Sequence, residues 1–99
     1  MMDTPTRQFQ AFLVKLHYEP DTISHTMHHY AEHLLHLLPV DDETMLCDYF
    51  GLFGHQQRAL NDIASEHHIS PETCIERIDN NLHRLAITPE WQLMQKAKP

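Results

Sequence analysis

A chain of 99 residues has room for one modest core, and a formal net charge of −7 at neutral pH leaves few cations to offer a phosphate backbone. Only two glycines occur, at Gly51 and Gly54, and β-branched runs are absent, so an all-α fold is expected: a small helical bundle with a C-terminal helix-turn-helix. No stretch approaches the roughly 18 uninterrupted apolar residues of a membrane span and no export signal opens the chain, so a cytoplasmic location without a membrane partner is expected.

Phe9, Phe12, Leu13 and Leu16 recur at helical spacing and predict a first helix over residues 6–17, opened by Thr4-Pro5. Pro20 disfavours helix at Glu19 and breaks the chain there. A second helix is predicted from residue 21 or 22 to 38, with Ile23, Met27, Tyr30, Ala31, Leu34, Leu35, Leu37 and Leu38 apolar and Pro39 closing it. Asp41, Asp42 and Glu43 then suit the positive end of a third helix, which runs to about Phe50 with Met45, Leu46, Tyr49 and Phe50 inward. Residues 51–58, with both glycines, form a loop.

Leu60, Ile63 and Ala64 share one stripe of a short fourth helix, and Ile69 precedes a break. Ser70 is the predicted N-cap of a fifth helix, with Pro71 and Glu72 in the first positions, where proline lacks only an N–H that would be unpaired anyway. Cys74, Ile75, Ile78, Leu82 and Leu85 make its apolar face, and the small Ala64 leaves room for a close crossing. Thr88-Pro89-Glu90 opens a last helix carrying Trp91, Leu93 and Met94. Residues 1–38 are thus expected to form a helical hairpin packed on residues 39–99, in one compact unit. Cys47 and Cys74 fall on core stripes and read as small buried hydrophobes, not as redox or metal thiols.

Leu38-Pro39, Met45-Leu46, Tyr49-Phe50-Gly51-Leu52, Leu60-x-x-Ile63-Ala64, Ser70-x-Glu72 and Arg84-Leu85 succeed one another over the C-terminal half. On these elements the chain from Leu38 onward resembles region 4 of the bacterial sigma-70 family, which reads a promoter element and binds the polymerase β flap. Ser70-Pro71-Glu72-Thr73-Cys74, followed by Ile78, Asn80, Leu82 and Leu85, is also similar to the recognition helix of LuxR-type regulators. The resemblance implies a transcription-associated protein that docks on DNA, RNA polymerase or another transcription protein, with a homodimer as a further option. In its DNA-binding form the helix from Ser70 to Leu85 would enter a major groove. Thr73, Arg77 and Asn80 would face bases beside Ser70 and Asn81, and Arg58 and Arg84 would meet phosphates. Glu72 and Glu76, however, stand where the family carries cations and glutamine. Both would repel phosphate unless each accepts a cytosine amino group, and Glu72 has an alternative role as a capping or dipole partner at the helix N-terminus. The alternative is an acidic protein–protein module, a sigma-like adaptor or antagonist that does not bind DNA.

Ten histidines remain to be explained, five of them on the second helix at His25, His28, His29, His33 and His36. His25/His29 and His29/His33 are i, i+4 pairs, the spacing at which two imidazoles grip one metal. A metal-binding helical protein using His25, His29 and His33 is therefore a second alternative, without a motif such as His-Glu-x-x-His to support it. No phosphate loop, nucleophile–base pair or reactive cysteine context occurs, so no enzyme activity and no cofactor are expected.

Overall fold

Asp3 starts the first helix: its Oδ1 accepts a hydrogen bond from the Thr6 amide at 2.9 Å, capping α1 over Thr4–Tyr18. The computed structural model describes residues 3–96. After α1, Pro20 takes the first position of a short 3-10 turn, Pro20–Thr22, and Ile23 runs extended. The second helix, α2, spans His25–Leu35, later and shorter than the spacing predicts. Its N-cap is Ser24, whose Oγ accepts from the Met27 amide at 3.2 Å. Beyond Leu35 the amides of Leu37 and Leu38 turn back to the carbonyls of Leu34 and Leu35, both at 3.1 Å. That tightening takes Leu37 out of helical phase, so it is half exposed while Leu38 is buried.

The third helix, α3 (Val40–Phe50), opens with Asp41, Asp42 and Glu43 in its first turn and ends at Gly51, which has φ +69°. Left-handed backbone there lets the Leu52 amide reach the Cys47 carbonyl at 3.0 Å. A side chain at this position would also meet His17, because a Cβ on Gly51 would lie 2.7 Å from the imidazole. Gly51 thus ends α3 and admits the end of α1, where His17 Nδ1 donates to the Gly51 carbonyl at 2.8 Å.

The remaining helices are α4 (Leu60–Glu66), α5 (Pro71–Ala86) and α6 (Pro89–Lys96). The fold is all-α: the described residues form these six helices and no strand. α1 packs along α5 and touches α3, whereas α2 lies on α6. Phe9, Leu13, Leu34, Leu35, Met45, Leu46, Ile63, Ile78, Leu82 and Trp91 are fully buried in one continuous apolar cluster. Trp91 packs within it, edge-on to Phe9 at 5.0 Å between ring centroids and tilted against Phe12 at 5.3 Å. Cys47 and Cys74 are both buried and unbridged. Not every predicted apolar position faces inward: Tyr30 and Leu93 are 52% and 65% exposed, and together they border a groove between α2 and α6. Among the described residues no helix is long and apolar enough to cross a membrane.

Candidate interaction face

The α4–α5 pair is joined by four residues, 67–70, whose geometry is set by the backbone of α4. His68 adopts the left-handed region at φ +59°. Its amide reaches the Ser65 carbonyl at 3.2 Å, and the Ile69 amide reaches the Ala64 carbonyl at 3.0 Å. These two bonds satisfy carbonyls that the end of α4 would otherwise leave open, and Ile69 turns back onto the core. Ser70 then caps α5, its Oγ accepting from the Thr73 amide at 3.1 Å while its hydroxyl donates to Thr73 Oγ1 at 3.0 Å.

Along α5 the inner face is Cys74, Ile78, Asn81, Leu82, Leu85 and Ala86, all buried. The opposite face exposes Glu72, Thr73, Glu76, Asp79, Asn80, His83 and Arg84. α1 covers the inner side, and on the outer one His83 Nδ1 lies 3.1 Å from both Asp3 Oδ2 and Thr6 Oγ1. An exposed polar edge therefore runs along the helix, with three carboxylates on it.

The candidate contact residues separate on this face. Thr73, Asn80 and Arg84 are exposed together, and Ser70 stands at the N-terminal end, engaged as a cap. Asn81 is 6% exposed, which corrects its expected place at the surface. Seven residues after Cys74 and three after Ile78, it falls on the inner stripe, a signal the sequence already carried. Arg77 lies at the border of the two faces and pairs with Asp42 in the first turn of α3. Arg58 is held on α4 by Glu66, lies 3.6 Å from Asp48 on α3, and donates its amide to the Asp48 carbonyl at 2.8 Å. The Glu66 hydrogen bond raises the guanidinium pKa further and holds the Glu66 carboxyl below its usual range.

Apolar spacing gives no sign of Asp48, yet it is buried and organises the loop after α3. His55 Nδ1 donates to its Oδ1 at 2.8 Å, so one carboxylate ties both His55 and Arg58 back to the helix. The geometry thus gathers Thr73, Asn80 and Arg84 on one edge, withdraws Asn81, and neutralises Arg58 and Arg77 with neighbouring carboxylates. Glu72, Glu76 and Asp79 dominate what is left. Among the metal candidates, His25 and His29 meet, with their Nε2 atoms 3.1 Å apart. His33 instead borders the apolar groove with Tyr30, Leu34, Glu90, Leu93 and Met94. No group of three His, Cys, Asp or Glu side chains able to hold one metal occurs among the described residues. Comparison with family models, curated proteins and solved structures finds no match to this chain.

Proposed function

We propose that the chain is a non-enzymatic, transcription-associated adaptor whose α4–α5 pair is a helix-turn-helix turned to protein binding, with the exposed edge of α5 docking on a basic surface. The observation that carries this reading is the charge of that edge. Glu72, Glu76 and Asp79 face solvent on the same helix as the exposed Arg84, while Arg77 and Arg58 are engaged by Asp42 and Glu66. A duplex presents closely spaced phosphates and rewards cations, so an edge with this balance is repelled by DNA and attracted by lysine- or arginine-rich protein. The resemblance to sigma region 4 names the first partner to try, RNA polymerase.

The test is binding of the labelled chain to purified core RNA polymerase, measured by fluorescence anisotropy over a salt series. The combined substitution Glu72→Lys, Glu76→Lys and Asp79→Lys should weaken binding about tenfold or more at low salt, and Asn80→Ala much less. Polymerase binding unaffected by the charge reversal would contradict the reading. The exposed cluster of Thr73, Asn80 and Arg84 favours the DNA-reading alternative, which requires salt-sensitive duplex binding that Arg84→Ala weakens.

A further inference from the structure

His25 holds the first position of α2 and His29 follows one turn later, on the exposed side of the helix. The two rings meet edge-to-face with centroids 4.5 Å apart, and the two Nε2 atoms approach to 3.1 Å. A cation bound by two imidazoles at about 2.0–2.1 Å per bond needs the nitrogens about 2.9 Å apart at a right angle and about 3.4 Å apart at the tetrahedral angle. The observed separation falls between these limits. We propose that His25 and His29 form a bidentate site for a late first-row divalent cation (nickel, copper or zinc), with water in the remaining coordination positions.

The neighbouring imidazoles on α2 and at its C-cap stand differently. His28 Nε2 donates to the Pro20 carbonyl at 3.0 Å, His36 pairs with Glu43 on α3, and His33 borders the groove with α6. The clamp is therefore a specific pair within a histidine-rich helix. In the metal-free pair one Nε2–H donates to the other Nε2, so the second ring already offers a lone pair. Binding requires the donating ring to move its proton from Nε2 to Nδ1 through solvent. Both lone pairs then face the cation, and neutral rings release no net proton. No third protein ligand converges on the pair among the described residues, which leaves the open positions to solvent. The positive end of the α2 dipole opposes a cation at the first turn, so affinity rests on the two-point chelate and should rise from zinc to nickel to copper.

The experiment is titration of the intact chain with nickel and copper chloride in a non-coordinating buffer, followed by calorimetry and by paramagnetic broadening of the histidine ring resonances. The expected result is one saturable site per chain, with His25 and His29 broadened first. His25→Gln and His29→Gln should each weaken binding about tenfold or more, and the double substitution little further, because losing either arm ends the chelate. His68→Gln should leave binding unchanged. Saturable binding that survives the double substitution, broadening centred on other histidines, or no saturable binding up to about 1 mM cation would overturn the proposal.

Discussion

At the scale of single residues, Gly51 is tightly constrained. Its φ of +69° and the 2.7 Å approach of His17 act against any side chain. Gly51→Ala should cost about 1–3 kcal/mol in denaturant unfolding, and removing the His17 ring in the double variant should recover only the steric part. A loss below a few tenths of a kcal/mol would show that the backbone relaxes around the new methyl group. The Cys47 thiol is pushed up to about 12, first by burial and then by the charges of Glu43, Asp48 and Glu32. Burial also raises Cys74, against a smaller opposing pull from Arg77. Iodoacetamide at about pH 8 should therefore spare both thiols in the native protein while modifying the denatured chain. Acid acts through Asp3 and Glu66, which are held below their ordinary values of 3.8 and 4.5 by Thr6 and Arg58 respectively. A carboxylate with a lowered folded pKa adds stability above its unfolded pKa and loses it as pH falls through the folded value. Melting temperature should thus fall below about pH 4.5, and Glu66→Gln should flatten that fall; an unchanged acid slope would dismiss the Arg58–Glu66 contribution.

At the scale of elements, helix existence was legible because apolar spacing and caps agree. Ser70, Pro71 and the stripe from Cys74 to Leu85 announce α5, and Thr88 caps α6 through the Trp91 amide at 3.2 Å. The start of α2 was not legible in the same way. Asp21 and Thr22 look like an N-terminus, but Pro20 places them in a 3-10 turn and Ser24 is the cap that the structure uses. Ser70→Ala should cost about 1 kcal/mol, because a backbone donor of α5 loses its acceptor. Ile78→Ala should cost about 2–4 kcal/mol as a fully buried truncation on the same helix. Equal costs for the two would contradict the assignment of inner and outer faces. Arg77 shows where periodicity runs out: its place at the edge of the stripe follows from spacing, but its partner Asp42 lies on another helix. Sequence distance carries no information on that pairing, nor on Asp48 gathering His55 and Arg58.

At the scale of the whole molecule, one aromatic side chain links the ends of the chain. Trp91 on α6 packs against Phe9 and Phe12 on α1, so α6 is part of the core and not an appendage. Trp91→Ala should cost about 3–5 kcal/mol, a large share of what a domain of this size has. The charge balance works at the same scale. An acidic chain whose two central arginines are bound to its own carboxylates presents a helix edge hostile to phosphate. The most direct measurement is titration of a labelled random-sequence DNA duplex at about 50 mM salt with the native chain and with the Glu72→Lys, Glu76→Lys, Asp79→Lys variant. The account predicts no binding by the native chain and salt-sensitive binding by the variant, because three substitutions turn the edge from acidic to basic. Salt-sensitive duplex binding by the native chain, or no binding by the variant, would contradict it.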